Sequence, residues 1–323
     1  MTHPGGYAGG VRLAEVVRSG FVEGFHHGSV VVLDATGSVS DAAGDVRGPI
    51  FPRSSVKPLQ SVGMLRAGLP VTDPADLALI SASHHGEPFH LDRVAGLLRR
   101  AGLTEADLHC PRAMPIGPAA AEAVLRAGGG PTRIQMNCSG KHAGMLLTCR
   151  AAGWPVDGYW LPEHPLQRRL RAAVEEFTGE RVAATGVDGC AAPVLAVSLT
   201  GLATAFHRLV SAAPGTVERA VADAMRAHPE LVSGTAAEAE DNRLMRGVPG
   251  LLTKVGAEGV MAVALPGTGA VACKIDDGGQ RARPPVLVAA LRRLGISAPV
   301  LDELAESALY GGGDRVGGVR TLW

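Results

Sequence analysis

The segment Arg53-Ser54-Ser55-Val56-Lys57-Pro58-Leu59-Gln60 sets a serine three residues before a lysine, where the sequence turns from strand-like to helical. On a helix, positions i and i+3 share a face, so the Ser54 hydroxyl and the Lys57 amine can meet. Pro58 lacks an amide hydrogen and is tolerated only in a first helical turn. Ser54 is therefore expected near a helix N-terminus, in partial positive charge. Serine is a poor nucleophile until a neighbour takes its proton. Lysine can do so only where burial or nearby positive charge lowers its pKa. The spacing alone is weak, because surface serines often lie near surface lysines. Scarcity adds to it: Lys57, Lys141, Lys254 and Lys274 are the only lysines among 31 Lys+Arg residues. A chain that uses arginine for ordinary surface charge keeps lysine where an amine must lose its proton, which arginine does not do.

On the N-terminal side of this segment, residues 11–50 read as two or three antiparallel strands. Val16 to Gly20 and Ser29 to Asp34 are short β-branched runs bounded by turn residues. Glu23 to Gly28 reads as a polar loop between them, either a solvated hairpin end or a wall of the site. On the C-terminal side, residues 54–245 read as largely helical. Arg53–Leu69, Leu91–Leu103, Ala119–Ala127, Pro165–Thr178 and Val217–His228 carry helical patterns, and Ala191–Phe206 reads as a buried helix. Leu251–Gly259 then reads as a loop, Val260–Leu265 and Ala270–Asp276 as strands, and Pro284–Leu294 as a final helix. Strands at both ends around a helical middle predict one α+β domain over residues 1–323, in which residues 11–50 and 250–323 share an antiparallel sheet.

Composition excludes several classes. Net charge is zero and aromatic content is 4%. A nucleic-acid footprint, with basic patches and stacking aromatics, is not expected. No run reaches the ~20 apolar residues of a membrane span, and residues 1–10 lack the pattern of a signal peptide. Five scattered cysteines suggest reduced thiols and a cytoplasmic location.

Three further stretches crowd polar side chains where packing does not need them. The first is Ser81-Ala82-Ser83-His84-His85-Gly86-Glu87, at the end of an apolar run. The second is Met136-Asn137-Cys138-Ser139-Gly140-Lys141-His142, in which Cys138 stands three residues before Lys141. The third is Gly186-Val187-Asp188-Gly189-Cys190, read as a turn entering the apolar helix. Three chemistries fit. Ser54 with Lys57, joined by Ser83 with Lys274, makes a serine hydrolase with lysine bases. Ser-x-x-Lys is also the nucleophile signature of penicillin-binding proteins and class A β-lactamases. Cys138 and Cys190 with Lys141 make a weakly signalled metal site, since single cysteines lack a paired zinc spacing. Cys138 with Lys141 or His142 makes a cysteine nucleophile and base.

The strings FPRSSVKPLQ, SASHHGEPFH, MNCSGKHAGML, GVDGC and KVGAEGV…CKIDDG occur here in one order. In that order the chain resembles the bacterial L-asparaginase II family, of the thermolabile rhizobial type, from about Val11 to the C-terminal region. The resemblance implies a serine β-lactamase- and glutaminase-like fold and hydrolysis of L-asparagine to L-aspartate and ammonia. It places catalytic roles on Ser54, Lys57, Ser83 and Lys274, and zinc ligands on Cys138, Lys141 and Cys190. Arg53, His84, Glu87, Asn137, His142 and Asp188 fall around the substrate, and a homodimer is implied. Lys254 lies in a matching segment with no role assigned. Two stretches depart from the family pattern. Cys110-Pro111-Arg112-Ala113-Met114-Pro115 replaces a Cys-Gly-x-His-x-Pro form, and Ser233–Met245 lacks an expected arginine-containing loop.

Overall fold

The apolar runs near the two ends of the sequence pair edge to edge in one sheet, and helices cover its two faces. The computed structural model describes residues 6–323. The chain begins with strands β1 (Val11–Arg18), β2 (Phe21–Leu33), β3 (Val39–Ala43) and β4 (Pro49–Ile50). Helices follow: α1 (Lys57–Arg66), α2 (Pro74–Ile80), α3 (Pro88–Arg100), α4 (Pro118–Arg126), α5 (Ser139–Ala151) and α6 (Pro165–Thr178). Short strands β5 (Thr185–Val187), β6 (Pro193–Leu195) and β7 (Val197–Ser198) precede α7 (Leu199–Ser211), α8 (Val217–Ala227), α9 (Pro229–Val232) and α10 (Glu240–Gly247). The chain closes with β8 (Leu252–Val255), β9 (Val260–Leu265), β10 (Gly269–Ile275), α11 (Arg283–Arg293), α12 (Pro299–Leu304), β11 (Glu306–Gly311) and β12 (Asp314–Thr321).

The main sheet is antiparallel in the order β11-β12-β1-β2-β10-β9-β8, with β3 also paired to β2. The two chain ends thus share one sheet, and the protein is α+β as its sequence predicts. Side-chain alternation divides the core. Val31 and Leu33 of β2 face one apolar layer with Phe206 of α7. Val30 and Val32 face the other, with Val286 and Leu291 of α11. Strands covered on both faces read as unbroken apolar runs, which is why β2, β9 and β10 are so rich in valine and alanine. A third apolar cluster joins α2, α3, α5 and α6 through Leu79, Val94, Leu146 and Leu170. Among the described residues, no helix is long and apolar enough to cross a membrane.

The structure corrects four expectations. Glu23–Gly28 is no loop but the first half of β2, paired to β1 around a turn at Ser19-Gly20. Its polar letters belong to a solvent-facing strand. The helix expected over 191–206 begins only at Leu199. Ser198 caps it by accepting the Gly201 amide at 2.8 Å, and the residues before it form β6 and β7. Residues 252–255 of the expected loop are strand β8, at the sheet edge. The helix at Pro284 is not the last element: α12, β11 and β12 follow, and β12 pairs with β1.

Candidate active site

Residues Arg53–Val56 form a 3-10 turn that runs into α1, and Pro58 sits in that helix's first turn, as its missing amide requires. Arg53 has a left-handed backbone, φ +55°, a conformation that non-glycine residues adopt at a cost and that concentrates at functional sites. Its guanidinium donates to Asp188 Oδ1 at 2.7 Å. Ser55 is buried, and its hydroxyl donates to the Pro52 carbonyl at 2.7 Å. Ser54 lies at the junction of two cavities. One, of about 230 Å3, also takes Ser83, His85, Asn137 and Lys254 in its wall. The other, of about 10 Å3, is shared with Arg53, Lys57, Lys141 and Asp188. A larger groove of about 940 Å3 lies away from these residues, where Arg93 and Arg100 are already paired with Asp76.

Lys57 is buried, and its ammonium donates to Ser83 Oγ at 2.9 Å, to Cys138 Sγ at 3.1 Å and to the Ala82 carbonyl. Burial pulls its pKa below the ordinary lysine value. Cys138 opposes this, and the charges of Lys254 and Lys141 reinforce it. Ser83 therefore pairs with Lys57, not with Lys274. Lys274 sits on β10, inside the sheet, and donates to the carbonyls of Glu258 and Ile275 at 3.0 and 3.4 Å. It does not line the cavity. Strands β8 and β9 pack against the Ser54 turn, and edge strand β8 carries Lys254. Gly256 at its end makes the approach possible, since a Cβ there would lie 2.4 Å from the Pro52 carbonyl oxygen. The Lys254 ammonium donates to Asp241 Oδ2 at 3.1 Å, both side chains being buried. Lysine scarcity had marked Lys254 as well, but no motif gave it a role. Asp241 carried no sequence signal beyond the atypical stretch it lies in.

Of the residues expected around the substrate, Asn137 lines the larger cavity, while Arg53 and Asp188 line the smaller. His84, Glu87 and His142 line neither. His84 is fully buried, with Nε2 2.8 Å from Ser139 Oγ. Ser139 gives its own proton to the Ile134 carbonyl, so the histidine nitrogen is the donor. Glu87 accepts the Thr235 amide at 2.8 Å and the Thr235 hydroxyl at 2.6 Å, which fixes a loop on the far wall.

His90, beside these two, has a defined protonation state. Its Nδ1 accepts the Glu87 amide at 3.2 Å, and its Nε2–H donates to the Glu230 carbonyl at 3.0 Å. Only the neutral ring can do both. Burial drops its pKa from 6.5 to about 4. Between those values the unfolded chain binds more protons, so the contribution of His90 is complete above pH 6.5 and is lost as pH falls towards 4. We expect unfolding free energy to fall by about 2–3 kcal/mol from this group over that window. Denaturant titrations at pH 7 and pH 4.5 should show a smaller difference for His90→Gln than for the wild type; equal differences would refute the assignment.

Cys138, Lys141 and Cys190, which the family resemblance groups from two separate strings, lie together. Asp188 and Cys190 sit in the hairpin turn between β5 and β6, not at a helix entrance. Lys141 Nζ lies 3.2 Å from Cys190 Sγ. Burial works against the Lys141 charge, but the facing Cys190 and Cys138 sulfurs outweigh it and hold the proton on. The Cys190 thiol is held down by a hydrogen bond from Cys138, with Lys141 and His142 adding to it against burial. His142 Nδ1 is 2.7 Å from the Tyr159 hydroxyl, while its buried Nε2 finds no hydrogen-bond partner among the described residues. Among those residues no three His, Cys, Asp or Glu side chains gather as a metal site. The Cys-Lys-Cys set is of another kind: two buried sulfurs and one amine, with an orphaned imidazole nitrogen nearby. These soft donors fit a divalent cation such as zinc once Lys141 gives up its proton.

The model of the L-asparaginase II family matches residues 14–321. No curated protein matches significantly. In structure the chain is similar to Mglu in its native form, at 18% identity and a TM-score of 0.44 over 82% of this chain and 62% of that one. It is similar to a β-lactamase from Mycobacterium bovis, at 16% identity and a TM-score of 0.41 over 83% and 95% of the two chains. It is also similar to EstCE1, a hydrolase with promiscuous acyltransferase activity, at 12% identity and a TM-score of 0.39 over 93% of each. The chain spans 62% of the length of Mglu.

Proposed function

The chain belongs to the L-asparaginase II family, and from that premise we propose that it hydrolyses L-asparagine to L-aspartate and ammonia by serine-lysine acyl transfer. The observation that carries this reading is the buried Lys57 amine within 2.9 Å of Ser83 Oγ, beside a cavity that Ser54 also lines. Ser54 is the nucleophile. Its hydroxyl attacks the side-chain amide carbon and its proton passes to neutral Lys57, whose burial favours the uncharged amine. Amide groups at the start of the 3-10 turn stabilise the oxyanion; one such donor is typically worth ~3 kcal/mol of barrier. The proton returns from Lys57, by way of Ser83, to the leaving ammonia. Water then cleaves the aspartyl ester on Ser54 with the same lysine as base. In this reading Lys254, hydrogen-bonded to Asp241 at the cavity wall, serves in the role that the family resemblance gives Lys274.

Zinc on Cys138, Lys141 and Cys190 belongs to the same proposal, as do the thermolabile rhizobial subtype, a single domain, a homodimer and a cytoplasmic location. When bound, the metal would supply fixed positive charge beside the small cavity shared by Ser54, Lys57 and Lys141. A second reading makes Ser83 the nucleophile, and the direct Lys57–Ser83 bond favours it. A related glutaminase or β-lactamase-like esterase uses the same groups on another acyl donor, and a non-catalytic binding protein uses none. Ammonia release from asparagine and glutamine, with nitrocefin turnover and zinc content measured on the same sample, tests these readings. We expect ammonia from asparagine and about one zinc per chain. No release from either amide would overturn the proposal, and nitrocefin turnover alone would move it to the β-lactamase-like reading.

A further inference from the structure

Three carboxylates line the cavity that Ser54 and Ser83 share: Glu238, Glu240 and Asp241. Two of them are already spent. Asp241 accepts the Lys254 ammonium, the Thr253 hydroxyl and the Val255 amide. Glu240 accepts the guanidinium of buried Arg283. Those two pairs also use up the cavity wall's full cations, Lys254 and Arg283. The Glu238 carboxylate forms no ion pair or side-chain hydrogen bond among the described residues. The remaining basic group of the wall, His85, is kept from charging chiefly by burial, against the pull of nearby Glu238. Three carboxylates facing two cations leave one negative charge in the wall, and it resides on Glu238.

The loop that carries Glu238 is held without using its side chain. Glu87 binds Thr235. Asn242 donates from Nδ2 to the Gly234 carbonyl at 2.7 Å and from its amide to Ser233 Oγ at 3.2 Å. Gly234 allows the clamp, since a Cβ there would lie 2.5 Å from Glu87 Oε1. This is the atypical stretch 233–245. In place of an arginine loop, it brings acidic side chains to the cavity.

We propose that Glu238 receives the α-ammonium of the substrate and so restricts the cavity to ω-amides of free amino acids. The proposal rests on the amidohydrolase reading and deepens it. A zwitterionic amide brings the one positive charge that the wall lacks. An acyl donor with a carboxylate and no ammonium meets an unbalanced like charge instead. Glu238 is solvent-exposed, so it discriminates by Coulomb attraction to the ammonium at the cavity wall and repulsion of a like charge, not by a stranded buried group.

The test compares the wild-type protein with Glu238→Gln and Glu238→Asp. Steady-state ammonia release from L-asparagine is measured, with succinamic acid, the same skeleton without its α-amino group, as competitor. Glu238→Gln should raise KM for asparagine about 3- to 10-fold, the loss of one solvent-screened charge contact, while kcat stays within about threefold. The inhibition constant of succinamic acid should hold or fall, and Glu238→Asp should recover part of the lost KM. A KM within twofold of wild type in Glu238→Gln would overturn the assignment. A parallel rise in the succinamic acid constant would also overturn it, by marking a structural role. If the wild-type protein releases no ammonia, the amidohydrolase reading falls; if it does and KM is unmoved, only the Glu238 assignment falls.

Discussion

Ser54→Ala lowers kcat for asparagine by about 10^4-fold or more, the scale on which removing a serine nucleophile acts, while leaving stability within about 0.5 kcal/mol of wild type. The second half of that expectation follows from geometry. The Ser54 hydroxyl has no hydrogen-bond partner among the described residues, and it lines cavities on two sides. Its loss strands no buried donor and opens no packed core. Ser83 differs. Its hydroxyl accepts from the buried Lys57 ammonium, so Ser83→Ala takes away one of that lysine's three partners and should cost both stability and turnover. Activity alone therefore does not separate the two serines. The aspartyl ester does: digestion and mass spectrometry of enzyme quenched during turnover should find it on the peptide that carries Ser54. An ester on the Ser83 peptide, with more than a tenth of wild-type activity left in Ser54→Ala, would hand the nucleophile to Ser83.

The same two serines show how far the sequence could be read. Ser54, Lys57, Ser83, Cys138, Lys141 and Cys190 were legible because each sits in a short string whose letters packing does not require. The antiparallel sheet from both ends of the sequence was legible because strand-like runs bounded by turn residues stand before and after a helical middle. Pairing was not legible. Lys57 is three residues from Ser54 and 26 from Ser83, yet its hydrogen bond is to Ser83. That choice depends on how α2 ends beside α1, which no local pattern encodes. Lys274 and Lys254 stand on different strands of one sheet, and only the fold shows that β8 and β9 pack against the Ser54 turn while β10 lies beyond them. The polar half of β2 is hidden for a different reason: its partner β1 is only a two-residue turn away, but solvent faces most of residues 21–27, so they show no apolar alternation.

Asp241→Ala should cost about 3–5 kcal/mol of unfolding free energy, the range for breaking a buried ion pair by removing one partner. Asp241 and Lys254 are 2% and 0% exposed at their side chains. The carboxylate also accepts the Val255 amide at 2.9 Å and the Thr253 hydroxyl at 3.1 Å. The alanine variant leaves an ammonium, an amide and a hydroxyl without their acceptor in a dry place. Asp241→Asn keeps one oxygen acceptor and should lose about half as much. Guanidinium titration of the three proteins checks this, and a loss under about 1 kcal/mol in Asp241→Ala would show that water reaches the Lys254 ammonium. The double variant Asp241→Leu with Lys254→Met removes both charges together and should recover most of the stability, because apolar replacements of a buried pair often cost little. It should not recover turnover. That outcome would mean the pair is kept for its charge at the wall of the cavity beside Ser54 and Ser83, where Lys254, on a strand that packs against the Ser54 turn, is the cation and Asp241 holds it in place.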